Sequence, residues 1–259
     1  MTYLPRVAAA TEAEWPDLAV ELDRWEEAGR TARLWWRDDD AVAPSAELDR
    51  LLRLAGGTPL ALAVIPRMAE PDLAERLAGE PHVAVLQHGW RHANHAATGK
   101  KSEYPAERSG ADVAAELAAG RARLAALFGE RALPILVPPW NRFDERFVPL
   151  LAATGIAALS QMAPRKTALP AGIVTIDVHL DDVAWHEGRG FVGTGAALGR
   201  LIAELRARRE SGDETAIGVL THHLVMDDST ADFMARLGGV VAAHPAARWA
   251  GAPEMLAPR

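Results

Sequence analysis

The sequence predicts an α/β protein, an incomplete or distorted (β/α) barrel of about seven parallel strands. Three observations carry that expectation. Short apolar runs alternate with helical patterns almost from end to end. Those runs are unbroken rather than alternating, as in strands covered on both faces. Polar clusters follow several of them directly, which is where the loops of a parallel barrel converge.

The first element, "TEAEWPDLAVELDRWEEAG", reads as a helix, with Thr11 and Glu14 in capping-box spacing and Gly29 closing it. Strands are expected at 32–37, 59–65, 82–88, 133–138, 155–160, 173–178 and 216–222. The patterns between them ("SAELDRLLRLA", "EPDLAERLA", "SGADVAAELAAGRARLAALFG", "DERFVPLLAATG", "GAALGRLIAELRARRE" and "TADFMARLGGVVAA") predict helices, the first of them capped by Ser45. "GTGAALG" at 193–199 begins a helix but lacks both dinucleotide-binding spacing and a phosphate-loop lysine. Trp35 and Trp36 are expected to pack between barrel and helices. No linker, repeat or low-complexity segment interrupts the pattern, so residues 1–259 form one domain, with 1–30 a helical extension packed on the barrel.

Composition narrows the function. The chain is 49% apolar and 24% charged, with a formal charge of −7, which suits a soluble globular protein and leaves no concentrated basic face for nucleic acid. "RARR" at 206–209 reads as a solvated helix stripe. There is no cysteine, so any metal must be held by histidine and carboxylate. The N-terminus lacks a secretory pattern and no run approaches a membrane span, so the expected place is the cytoplasm, with no membrane partner.

Four polar clusters remain. "RDDDAVAP" ends the first strand with Asp38, Asp39 and Asp40, three carboxylates that repel one another unless cations or bases offset them. "HGWRH" ends the third strand; if the loop turns helically, His88 and His92 share one face, as in zinc sites. Two histidines and one carboxylate make a facial set with room for water and substrate. "PPWNR" ends the fourth strand, where prolines stiffen the turn and Trp140 offers an aromatic wall and a fixed N–H for an oxyanion; a Pro-rich loop over the barrel rim is the plainer alternative. "LTHH" ends the last strand. Alternation puts Leu220 and His222 on one face and Thr221 and His223 on the other, so one histidine faces the barrel mouth as a further ligand or a general acid.

In this order and spacing, "RDDDAVAP", "HGWRH", "PPWNR" and "LTHH" resemble the polysaccharide deacetylases (the NodB-homology or carbohydrate esterase family 4 group), over roughly residues 32 to 225. The resemblance implies a metal-dependent hydrolase of N- or O-acetyl groups on a carbohydrate or related small amide, with Zn²⁺ the expected metal and Co²⁺, Ni²⁺ or Mn²⁺ as alternatives. It implies Asp39 as general base, Asp40, His88 and His92 as metal ligands, Trp140 as oxyanion donor and His222 as the acid. A register one residue earlier makes Asp38 the base and Asp39 the ligand.

Trp90, Pro139, Asn141 and Arg142 are the expected substrate contacts. Asp177, Asp181 and Trp185, in "IDVHLDDVAWH", match loosely a motif that supports the acid and base, with His223 beside it. His179, Asp182 and His186 offer an alternative cation cluster. Two positions depart from the pattern: Val137 stands where an arginine usually orients the base, leaving Arg37 or Arg142 to substitute, and Ala41 replaces a glycine. Both suggest a divergent branch, with a non-catalytic metal- or sugar-binding relative as the rival reading.

Overall fold

The computed structural model describes residues 12–164, 169–185 and 188–256. Nine strands form one sheet: β1 (Ala32–Ala41), β2 (Leu60–Val64), β3 (Val83–His88), β4 (Ala132–Val137), β5 (Ala158–Leu159), β6 (Val174–Thr175), β7 (Leu180–Asp181), β8 (Ile217–Thr221) and β9 (Ala247–Trp249). Their order is β6-β5-β4-β3-β2-β1-β8-β7, with β9 beside the start of β1, and every pairing is parallel. One stretch of chain supplies both ends of that order, since β6 pairs with β5 and β7 with β8. It curls the sheet into an incomplete barrel. β7 and β9 exceed the seven strands expected because two- and three-residue strands leave no apolar run to read.

Eight helices flank the sheet: α1 (Trp15–Glu27), α2 (Ala46–Ala55), α3 (Pro71–Leu77), α4 (Gly110–Phe128), α5 (Val148–Ala153), α6 (Thr194–Ser211), α7 (Asp228–Ala243) and α8 (Ala252–Leu256). Ser45 caps α2 by accepting the Leu48 N–H at 3.0 Å. The capping box of α1 is made by Glu14 and Asp17 rather than Thr11, which lies outside the described residues. No helix among the described residues is long and apolar enough to cross a membrane.

Strand alternation divides the core in two. Leu34, Trp36, Leu62, Val85 and Val219 pack outward against the helices. Trp35, Ala61, Ala63, Leu86, Val137 and Leu220 form the interior cluster. Trp35 is therefore not sandwiched between barrel and helices: being one residue from Trp36, it points the other way and fills the interior. Its Nε1 donates to Asp177 O at 3.1 Å. The "RARR" stripe is not simply solvated either. Arg208 is buried and donates to Thr215 O and Glu204, and Arg209 meets the buried Glu21 carboxylate at 2.7 Å.

Gly218 gives Trp35 its room, since a Cβ there would lie 2.5 Å from Trp35 Nε1 and 2.6 Å from Val178 Cα. Backbone on one side and a packed ring on the other cannot both yield. Gly218→Ala is expected to cost about 1–3 kcal/mol through overpacking, read as a fall in the urea midpoint; an unchanged midpoint would contradict this packing.

Candidate active site

The site begins at the end of β1. Arg37 and Asp39, two residues apart, share the inner face, while Asp38 points outward. Alternation would send Asp40 outward too. Instead the β1–β2 register shifts between Asp38 and Ala41, and Asp40 takes φ 77°, so the bulge turns its carboxylate back to the mouth.

Arg37 is fully buried and grips Asp39 with its fork: Nε lies 2.9 Å from Oδ1, and Nη2 donates to Oδ2 at 3.0 Å. The same guanidinium donates to Ser160 Oγ at 2.7 Å and to Asn141 Oδ1 at 2.9 Å. Of the two arginines expected as substitutes for one at Val137, Arg37 is the one that reaches Asp39. Arg142 does not; it reaches Lys101 O at 2.7 Å instead.

Asp40, His88 and His92 converge, with one ligand atom from each within 4.8 Å of the others. His88 Nδ1 donates to Val137 O at 2.9 Å, which turns Nε2 toward Asp40 Oδ1 at 3.1 Å. His92 Nε2 lies 3.4 Å from the same oxygen. With both rings neutral, two nitrogen lone pairs and a carboxylate would meet at one point, which a cation among them relieves, so the donor set fits a divalent metal of the zinc class. Burial opposes the charge on Asp40, but His88, His92 and His222 hold its carboxyl well below the usual range. Burial and the neighbouring His88 push the His92 imidazole down, toward the neutral form that ligates.

The helical turn expected between the histidines is absent. Gly89 and His92 take φ 59° and 56°, and the loop curls in left-handed steps that bring the rings to 5.1 Å. Glycine is required at 89, because a Cβ would fall 1.9 Å from Glu103 Oε2 and 2.6 Å from Pro139 Cδ. Pro139 is buried in that packing.

Trp140, at φ 55°, lays its ring 4.4 Å from that of His92, and its N–H has no backbone acceptor among the described residues. Asn141 belongs to the Arg37 network and its carbonyl accepts Gln161 Nε2 at 2.9 Å. A cleft of about 860 Å³ adjoins it, lined by Lys100, Tyr104, Asn141, Arg142, Gln161 and Met162 among others. Trp90 is half-buried, with Arg67 6.0 Å over its ring.

The opposite wall carries His222. Thr221 Oγ1 donates to Asp38 Oδ2 at 2.6 Å, and His223 Nδ1 donates to Asp38 Oδ1. Both neighbours of His222 are thus pinned to one outward carboxylate, and His222 takes the inner face. His223 is not at the mouth. Trp185 meets His222 edge-on at 4.7 Å and donates from Nε1 to Asp181 Oδ2 at 2.8 Å.

Asp182 is wholly buried, neither of its oxygens has a hydrogen-bond partner among the described residues, and His222 Nδ1 is likewise unsatisfied. Asp181, Asp182 and His222 offer ligand atoms within 4.8 Å of one another. Burial, with Asp181 and Asp38 nearby, pushes the Asp182 carboxyl well above the usual carboxylate range. Asp177 is spent on the frame, accepting Gln161 N at 2.8 Å. His179 is held by Arg208 and Gly218 N rather than by Asp182, and His186 lies outside the described residues.

No protein-family model matches the chain, and no curated protein matches it in sequence. Solved structures do match. A candidate polysaccharide deacetylase from Mycobacterium smegmatis superposes with a TM-score of 0.67 at 20% identity, over 96% of this chain and 93% of that one. Family 4 carbohydrate esterase from Streptomyces lividans, in complex with acetate, gives 0.53 at 15% identity over 82% and 88%. The chain has the polysaccharide deacetylase fold. Puue allantoinase shares it, with a TM-score of 0.63 at 14% identity over 98% and 97%.

On this deacetylase fold the residues that sequence reasoning missed are Ser160, Asp182 and Glu103. Asp182 was weighed only for a cation cluster, and its use at His222 could have been suspected from an acidic pair, Asp181–Asp182, beside an apolar run. Ser160 ends the short fifth strand, and nothing local marks it.

Two predictions follow from the buried charges. Arg37→Met leaves Asp39 buried without its counter-charge, and should cost about 3–5 kcal/mol, read as a lower thermal midpoint. Arg37→Lys, which cannot reproduce the fork, should fall between. For His223, burial lowers its affinity for a proton, but the Asp38 carboxylate more than offsets this, and the imidazole is raised above its ordinary value. A raised folded-state value means the extra stability is complete below the unfolded imidazole range and lost as pH rises through the folded value. His223→Asn keeps a donor for Asp38 without the titration. Wild type should therefore lose denaturant resistance relative to His223→Asn as pH rises above the ordinary imidazole range; parallel curves would refute the charged pair.

Proposed function

We propose that the protein is a metal-dependent hydrolase that removes an acetyl, or similarly small acyl, group from an N- or O-acetylated carbohydrate or a related small amide. One observation carries this reading: an arginine-held carboxylate, Asp39, stands beside the Asp40–His88–His92 ligand set, with His222 on the facing wall at the end of β8.

Asp40, His88 and His92 would hold the cation, Zn²⁺ by donor type, with Co²⁺, Ni²⁺ or Mn²⁺ as alternatives. A divalent metal there supplies Lewis acidity, polarising the acyl oxygen and acidifying water. Asp39 accepts the proton of the attacking water, and Arg37 keeps its carboxylate aimed and its charge balanced. The Trp140 N–H, fixed by its left-handed turn, donates to the developing oxyanion. His222 gives its proton to the departing nitrogen or oxygen. Asp182, buried in the same cluster as His222, and Trp185, edge-on to its ring, would hold the imidazole in place.

A substrate ring is served by Trp90 and Trp140, and the rest of the molecule by the cleft beside Asn141 and Arg142. That cleft can hold a sugar, and the fold shared with an allantoinase makes a small amide equally apt. A non-catalytic relative was attractive only while the base lacked an arginine. Arg37 counts against it.

The test is metal analysis of protein purified without chelator, followed by acetate release from a panel of acetylated sugars and amides. Asp39→Asn and His222→Ala should keep the metal and lose turnover by about 100-fold or more. His92→Ala should lose the metal. Full occupancy in His92→Ala would overturn the ligand assignment, and no release from any substrate by the metal-loaded protein would overturn the hydrolase.

A further inference from the structure

We propose that Glu103 is a positioning residue for the metal centre: its buried carboxylate is the anion around which the histidine loop is wound, and it sets how tightly His88 and His92 hold a cation. The inference rests on the metal-dependent reading above.

His88 ends β3, paired with Val137 on β4, but His92 lies on a loop that is neither helix nor strand, so no regular hydrogen-bond ladder fixes His92 against His88. What fixes it is Glu103. Its carboxylate is fully buried and accepts the N–H of Trp90 at 3.1 Å on Oε2, and those of Arg91 at 2.8 Å and Ala93 at 3.5 Å on Oε1. All three amides flank His92 or join it to His88. Successive amides turned onto one anion form a nest, and the positive φ values at Gly89 and His92 are the backbone steps that turn them.

The anchor is firmer than the loop it holds. Tyr104, the next residue, is fully buried and edge-on to Phe143 at 5.3 Å. The preceding Ser102 accepts His95 N at 2.8 Å through its carbonyl, and donates its own N–H to Asn94 Oδ1 at 2.9 Å. Arg108 donates to the Glu103 carbonyl at 3.2 Å, while its fork is occupied by Glu116. No cationic side chain hydrogen-bonds the Glu103 carboxylate among the described residues, so the loop amides are what satisfies it. Removing it strands three inward amides, and the loop must unwind to solvate them. His92 moves with it, as does the Trp140 loop, which touches Gly89 through Pro139.

The experiment compares wild type with Glu103→Ala and with the isosteric Glu103→Gln, whose amide nitrogen cannot accept. Zn²⁺ affinity is measured by competition with a chromophoric chelator, the Co²⁺ visible spectrum reports ligand geometry, and amide exchange is followed in the metal-free proteins. Folding is checked by circular dichroism. Both variants should bind Zn²⁺ about 10–100-fold more weakly, with an altered Co²⁺ spectrum and faster exchange at Trp90, Arg91 and Ala93. A purely structural glutamate would lower the melting temperature and leave the Co²⁺ spectrum of the folded protein untouched.

Wild-type affinity and spectrum in either folded variant would overturn the inference. So would unprotected amides at those three positions in wild type, which needs no variant to fold. A wild type that binds no Zn²⁺ removes this inference together with the metal centre. One that binds Zn²⁺ tightly but releases no acetate removes the hydrolase alone.

Discussion

Two consecutive aspartates can serve one cavity only where a strand abandons its alternation, and the bulge at Asp39–Asp40 is where β1 does so. Without it Asp40 would point with Asp38 toward the helices. With it, Asp39 stays in step with Arg37 on the inner face while Asp40 leans across β2 toward His88 on β3. That reach spans an intervening strand, a gap of nearly 10 Å between strand axes. It is open because β2 sends only small side chains, Ala61 and Ala63, into the interior beneath it. The meeting of Asp40 with both histidines therefore depends on a backbone irregularity in one strand and on alanines in the next.

The same geometry resolves the crowding of three acidic residues in a row. Asp38 turns outward to Thr221 and His223, Asp39 inward to Arg37, and Asp40 upward to the imidazole pair. Asp38 and Asp39 are buried, each against its own basic partner, while Asp40 is part-exposed at the mouth. Buried charges tolerate this arrangement only when paired and hydrogen-bonded. Arg37 is an economical choice: placed two residues before Asp39 on the same strand face, it needs no loop to deliver it. That position explains how the fold tolerates Val137 at the end of β4, where its carbonyl, rather than its side chain, serves the site by accepting from His88.

What the sequence revealed and what it hid divide along physical lines. Strand ends were legible because apolar runs stop abruptly at polar clusters. The parity that puts His222 apart from Thr221 and His223 was legible because a strand has period two. Arg37 could be named as a stand-in for the same reason. Four-residue spacing at 88 and 92 would place both imidazoles on one face if the loop turned helically, whereas the real turn uses left-handed steps at Gly89 and at His92, steps that non-glycine residues take uncommonly. Asp182 and Glu103 were hidden for a different cause. Each matters through a partner far away in the chain or through backbone amides, and neither leaves a periodic trace. Trp35 fell between: alternation with Trp36 already required that one of the pair face inward.

Asp38 links the two sides of the site. It holds the residues before and after His222, Asp39 beside it is the proposed base, and Asp40 reaches toward His88 and His92, its proposed partners in metal binding, so three consecutive backbone units set the distances between proposed base, acid and cation. The bulge cannot move Asp40 without straining Asp39, and Asp39 cannot shift without disturbing Arg37, Ser160 and Asn141. Groups that share partners in this way do not contribute independently. The end of β1 is thus better regarded as one rigid part with three working faces than as three residues with separate roles. Its rigidity is borrowed from β8 on one side, through Thr221 and His223, and from β2 on the other, where the ladder resumes at Ala41 and Val64.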